Sequence, residues 1–254
     1  MRNWSTALYL AFMLLTRLPM PAVSRITEKD EGRAFVLYPL VGLSIGSLLA
    51  LTAWSLTTIF PAAVIAAIVL VVWTIITGAL HLDGLGDSAD GWLAGGDKQR
   101  TLDIMADPRC GSAAVAAVGC VLLLKFSALS VLITQQHYAA LVLIPLLGRA
   151  IACLMLVTTP YAKSTGIAVT QVAHAPARSR EWMLLLLTAG FILLGVIASH
   201  SIIKLLLTAA ITAICIILLR RLMLQRLQGM TGDTAGATIE ISEALLLLGL
   251  CSTL

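Results

Sequence analysis

The sequence predicts an all-α, polytopic membrane bundle, and three observations carry that expectation. Of its 254 residues, 59% are hydrophobic and only 12% charged, with a mean hydropathy of +0.97; a soluble domain carries about 25% charged residues. The apolar residues are grouped into runs near the ~20 residues a spanning helix needs. The charged residues gather in the connections between those runs, so the bilayer takes the place of an aqueous exterior. Residues 1–254 therefore read as a single integral-membrane domain.

The elements follow in order. Arg2 followed by Ala7–Leu15 imitates a signal peptide, but Thr16-Arg17-Leu18-Pro19 stands where a small-residue cleavage site belongs, so the segment is expected to be retained. It is too short to span, and reads as an interfacial or re-entrant helix. Seven apolar stretches come next: Ala34–Phe60, Pro61–Leu80, Gly111–Thr134, Tyr138–Thr158, Trp182–Ser199, Ser201–Leu219 and Ala235–Leu254. They predict six to seven spans.

Three connections are tight turns without Lys or Arg, at Phe60-Pro61, Gln135-Gln136-His137 and Ser199-His200-Ser201. The others are long and charged: Arg17–Arg33, His81–Cys110, Pro160–Arg180 and Arg220–Thr234. Placing every long loop in the cytoplasm satisfies the positive-inside rule at each crossing, and the opposite orientation violates it at each. The expected location is the cytoplasmic (inner) membrane, with the polar loops facing the cytoplasm.

The net charge of +4 does not indicate a nucleic-acid partner, because its Lys and Arg residues stand singly beside apolar segments; they are topology and headgroup charges. Lipid is the expected surrounding, and homo-oligomerisation stays open. The cysteines at 110, 120, 153, 215 and 251 form no C-x-x-C pair, so neither a disulfide framework nor a zinc site is expected. Lys204 lies near a turn and can snorkel. Lys125 lies deeper and receives no role. Arg149, near the middle of its stretch, costs roughly 3 kcal/mol to insert unless it faces a partner or a wet cavity. A buried ion pair and an anion site are equally compatible with it.

The chemistry concentrates in His81-Leu82-Asp83-Gly84-Leu85-Gly86-Asp87-Ser88-Ala89-Asp90-Gly91-Trp92. Asp83, Asp87 and Asp90 are spaced i, i+4, i+7, and at ~100° per residue they share a sector of about 60° on a helix. Like charges this close raise one another's pKa. A hard divalent cation, Mg²⁺ or Mn²⁺, resolves the conflict and brings substrate phosphates with it. The bland alternative, a solvated Gly-rich loop, leaves three of thirteen acids within eight residues unexplained.

Two segments look like partners. Asp103, Asp107 and Arg109 precede the Gly111 stretch, where Arg109 can fork onto phosphate; read alone, they fit a helix end with dipole-related charges. Asp233, Glu240 and Glu243 are spaced i, i+7, i+10, and the two glutamates enter an otherwise apolar run, a functional signal by default. Gly232-Asp233-Thr234-Ala235 echoes Gly86-Asp87-Ser88-Ala89. His81 is a candidate base or ligand, whereas His137, His174 and His200 read as ordinary surface residues. Walker A and H-E-x-x-H patterns are missing, which leaves metal and carboxylates to run any nucleotide chemistry.

The long first motif, the run from Ile104 through Asp107-Pro108-Arg109 to Gly111, and Thr231–Ala237 with Glu240 and Glu243 together resemble the cobalamin synthase (adenosylcobinamide-GDP ribazoletransferase) family. Thr16-Arg17-Leu18-Pro19 looks like its opening motif, and Gly148-Arg149-Ala150 sits where it carries an arginine. The resemblance runs from about residue 10 to the C-terminus.

It implies a Mg²⁺-dependent phosphotransfer that joins adenosylcobinamide-GDP to α-ribazole or α-ribazole 5′-phosphate, releasing GMP. Asp83, Asp87 and Asp90 would be metal ligands. Asp233, and Glu240 as a further candidate, would complete the shell or activate the hydroxyl, and His81 joins the catalytic candidates. Arg109 and Arg149 would hold phosphate, with Arg17, Asp107, Glu240 and Glu243 as further substrate contacts. Two rival readings fit less well. A CDP-alcohol phosphotransferase carries an A-R element after its first Asp-Gly that is absent after Gly84. An ion- or proton-coupled transporter places its acids at the midplane, whereas the densest acids here sit at one end of the spans.

Overall fold

The computed structural model describes residues 2–23, 25–197 and 202–251, and among them the chain is helical throughout apart from connections. The helices are α1 (Arg2–Leu15), α2 (Glu28–Val36), α3 (Tyr38–Leu56), α4 (Ala62–Thr77), α5 (Leu80–Leu93), α6 (Lys98–Met105), α7 (Ser112–Thr134), α8 (Tyr138–Thr158), α9 (Ile167–Ala173), α10 (Ser179–Ile197), α11 (Ile202–Leu227) and α12 (Gly232–Cys251). The all-α polytopic expectation holds. Six helices, α3, α7, α8, α10, α11 and α12, are long and apolar enough to cross a membrane. α4 and α5 form a pair bent by 87°, which adds a seventh span only if the two are taken together; α5 by itself, at 14 residues, is not one of the spans. At 14 residues, α1 is shorter than a span.

The centre of the bundle is α8 and α12, buried along most of their length, with α3 and α10 packed on α8. Ile144, Leu147, Leu246 and Leu247 are fully buried in the core between them. α10 and α11 turn Leu185, Ile192, Ile211 and Ile214 outward. In water such a surface would be a liability; in lipid it matches its solvent.

Several boundaries differ from the sequence reading. The connection His81–Cys110 is not a loop but two helices, α5 and α6, and the other long connections contain α2 and α9. Glycines at 84, 86 and 91 disfavour a helix by roughly 1 kcal/mol each, yet here they allow α5 to lie close against α12, α7 and α6 in turn. Close packing overrides the propensity. α12 begins at Gly232, so Asp233 lies in its first turn. The Ser199–Ser201 turn and His200 lie outside the described residues.

A short backbone bridge ties two connections together: Ala162 N–H donates to Met230 O (2.7 Å) and Met230 N–H to Pro160 O (2.8 Å). It carries Tyr161 and Lys163 to the start of α12.

Candidate active site

The site begins at the bend between α4 and α5. Gly78 (φ 60°) and Ala79 (φ 58°) are both left-handed, a conformation that costs a non-glycine residue free energy and persists only where packing enforces it. Arg17 covers this bend: its N–H donates to Ile76 O (2.7 Å), and its side chain fills the space a Cβ on Gly78 would need. Arg17 is thus a brace for α5, on the exposed side of the turn.

From the bend, α5 crosses the start of α12 with almost no spacing. A Cβ on Gly84 would stand 2.6 Å from Asp233 O, and one on Gly236 would stand 3.2 Å from His81 Cα. Side-chain bulk at either glycine would separate the helices, and with them Asp83 and Asp233.

The acids on α5 have distinct surroundings. Asp90 spends both oxygens on the N-terminus of α7: Gly111 N–H donates to Oδ2 (2.7 Å) and Ala114 N–H to Oδ1 (3.0 Å). It caps that helix from another one, satisfying donors that have no intrahelical partner. Asp87 is pushed up to about 6 by partial burial and then by Asp83, Asp233 and Asp90, against a smaller opposite effect of Lys163. Four carboxylates therefore share one electrostatic neighbourhood: the three that the i, i+4, i+7 spacing put on one face of α5, and Asp233 from α12. Asp233 accepts from Thr231 Oγ1 (3.2 Å) and pairs with Lys163 Nζ at 3.5 Å. Among the described residues, no three His, Cys, Asp or Glu side chains close around a single point to form a ready metal cage.

Beyond α6, Arg109 Nε donates to both oxygens of Asp107 (2.9 and 3.1 Å), and this fork holds the Asp107 carboxyl down to about 2. The Arg109 side chain is 88% exposed.

Among the described residues, three cavities flank α5, and acids line two of them. The first, about 270 Å³, is lined by Leu15, Leu156 and Ile239, by His81 and Arg149, and by Asp83 and Asp233. The second, about 510 Å³, is lined by Asp83, Gly86, Asp87, Asp107, Arg109 and Met105. Asp83 borders both.

Glu240 and Glu243 are not at an open surface. They form a buried network with Lys125 and Arg149: Lys125 Nζ lies 2.6 Å from Glu240 Oε2 and 2.7 Å from Glu243 Oε2, and Arg149 Nη1 lies 3.0 Å from Glu243 Oε1. Lys125 also sits over the Trp73 ring at 4.3 Å, a cation–π contact. Arg149 takes part in the buried ion pair that one of its two readings gave. One edge is in the ion pair and bonded to Pro145 O (3.0 Å), while Nε and Nη2, fully buried, have no hydrogen-bond partner and the residue lines the first cavity. His81 is also buried with both ring nitrogens unpartnered.

The sequence reading missed Lys125, Lys163 and Tyr161. Lys125 had a readable signal: two intramembrane bases stand opposite two intramembrane acids, and such groups pair. Lys163 and Tyr161 had none, because the backbone bridge to Met230 brings them to Asp233. Of the histidines read as surface residues, His174 pairs with Glu28 at 3.0 Å.

The family model described as cobalamin-5-phosphate synthase matches residues 7–251. The chain belongs to that family. Similar curated relatives of this cobalamin-5-phosphate synthase family member carry the name adenosylcobinamide-GDP ribazoletransferase. That of Stutzerimonas stutzeri (strain A1501) is 46% identical over 245 residues, covering 96% of each chain. That of Pseudomonas fluorescens (strain SBW25) is 43% identical, covering 95% of this chain and 98% of its own. That of Pseudomonas aeruginosa (strain PAO1) is 44% identical, covering 98% and 99%. No solved structure matches the chain.

Proposed function

We propose that this chain is a Mg²⁺-dependent ribazoletransferase of the cytoplasmic membrane, acting on the substrates its relatives' names print. The supporting observation is that Asp83 borders two cavities against α5. Two substrates held one in each would meet at that carboxylate. A ribazole hydroxyl oxygen attacks the phosphorus nearest the cobinamide in adenosylcobinamide-GDP. As the new P–O bond forms, the P–O bond to GMP breaks, GMP takes the electron pair, and the hydroxyl proton passes to a carboxylate of the group. α-Ribazole and its 5′-phosphate would enter the same step, giving the cobalamin or its 5′-phosphate.

The donor set fits a hard cation: Asp83, Asp87 and Asp233 are oxygen ligands with too little cationic compensation from Lys163. They would hold Mg²⁺, with substrate phosphate oxygens and water completing a shell that these side chains do not close themselves. When bound, the ion would neutralise charge on the phosphates. Asp90, with both oxygens on the α7 N-terminus, would hold α7 in place beside the group. Arg109 would exchange Asp107 for a phosphate oxygen, a fork-to-fork replacement. The long connections and the site would face the cytoplasm, where polar substrates reside.

Purified protein in nanodiscs should release GMP only when adenosylcobinamide-GDP, α-ribazole or its phosphate, and Mg²⁺ are all supplied. EDTA should abolish the release. Stoichiometric GMP without ribazole would mean a hydrolase, and turnover of a CDP-alcohol in place of the corrinoid would overturn the assignment.

A further inference from the structure

We infer that the first cavity is an acceptor subsite: it binds the flat aromatic base of the ribazole, with the free edge of Arg149 donating to the base's unsubstituted ring nitrogen. The inference rests on the ribazole-transfer reading and extends it to which substrate sits where. Three observations carry it.

The first is the lining. Leu15, Leu80, Leu156 and Ile239 stand in a wall whose exposed surface is mainly apolar, with Tyr38, His81, Tyr161 and Gln171 among its polar residues, and the volume is about 270 Å³. A fused two-ring base gains from burial against such a wall. A corrin macrocycle is far too large for it, and a guanosine diphosphate carries charge a mainly apolar wall cannot solvate.

The second is a donor without a partner. Arg149 is 0% exposed, and its Nε and Nη2 bond to nothing although Nη1 is held by Glu243 and Pro145. A buried donor left unpaired is unfavourable, and more so when it belongs to a charged group. A ligand acceptor at that edge satisfies it.

The third is charge. Lys125 and Arg149 are matched by Glu240 and Glu243, two against two, all buried. No cationic charge is left over to balance a phosphate, and an uncompensated buried anion is strongly unfavourable. A neutral acceptor such as a ring nitrogen suits the free edge. With the base inside, the sugar emerges at exposed Asp83 and half-buried Asp233, which puts its hydroxyl beside a carboxylate able to take the proton. The 5′-phosphate then points outward, so both forms of ribazole share the subsite. The donor's phosphates fall to the wider groove, with Asp87 and Arg109.

The test uses full-length protein in nanodiscs and two substitutions. Ala168→Phe, on the short α9 that borders the cavity, fills it. Arg149→Lys keeps a cation for Glu243 but removes the second edge of the fork. Each should raise KM for α-ribazole and for its 5′-phosphate about tenfold, equivalent to ~1.4 kcal/mol, while KM for adenosylcobinamide-GDP stays within about twofold. Ala168→Leu replaces the larger substitution if that variant does not fold. Calorimetric titration of α-ribazole without corrinoid should show binding to wild type and its loss in the filled variant. A shift in the corrinoid KM alone, or no shift in either, overturns the subsite while leaving the transfer reading intact. Binding of α-ribazole that the filling abolishes, without any GMP release in the presence of both substrates, keeps the subsite and overturns the transfer.

Discussion

Asp87 and Asp90 stand three residues apart on one helix face and take on different work. Asp90 is compensated by the protein: two backbone N–H groups of the α7 N-terminus satisfy it. Asp87 has no such partner, and three neighbouring acids together with burial push it up to about 6. Its ordinary value, near 3.9 in an unfolded chain, is thus raised by folding. The stability it contributes is fully present below the ordinary value and is lost as pH rises through 6. In EDTA, Asp87→Asn should therefore melt at or above wild type, by a margin that widens between pH 5 and pH 7. The same variant should have almost no turnover, and its Mg²⁺-dependent rise in Tm should shrink, since a ligand stabilises only as far as it binds the native state. Retention of both full activity and a full Mg²⁺ shift would remove Asp87 from the site. Thermal melts and GMP release on the same preparations decide it.

Among the elements, α7, α8 and α12 are joined by charge in the middle of an apolar core. Lys125 on α7 and Arg149 on α8 both reach Glu243 on α12. Such a network is a weak source of stability when complete, because desolvation offsets attraction, but breaking it leaves buried charge uncompensated. Glu243→Gln leaves two cations facing Glu240 alone and should cost roughly 3–5 kcal/mol, read as a large fall in Tm in nanodiscs. An unchanged Tm would mean that water or lipid headgroups reach these charges. The crossing of α5 over α12 is the second such junction, and it works by absence of bulk. Gly84→Leu should separate Asp83 from Asp233 and abolish GMP release, even where the six spans still insert.

For the molecule as a whole, the uneven distribution of charge between connections sets a direction. The turn at Gln135–His137 has no Lys or Arg, whereas the stretch carrying Asp97 has Lys98, Arg100 and Arg109. With the positive-inside rule, a single cysteine at Gln136 in a cysteine-free background should react with an impermeant thiol reagent on intact cells, and one at Asp97 should not. The reverse pattern would invert the proposed orientation and put the site on the far side of the membrane from its substrates.

The sequence by itself determined the class of fold, the number and order of the apolar runs, and the acids that gather on one face of α5. Those properties depend on period and composition, which are local. It also held the signal for the intramembrane ion network, two bases against two acids, although not the pairing. The tertiary structure decided the rest. Whether His81–Cys110 is loop or helix depended on α12 and α7 being there to pack against Gly84 and Gly86, an energy no local propensity contains. That Asp90 caps α7, that Arg17 braces a left-handed bend, and that Lys163 meets Asp233 all arise from residues far apart in the chain. The two cavities sharing Asp83 exist only because α5 turns 87° away from α4; a side chain's alternation along a helix says which face it is on, and only packing says what that face meets.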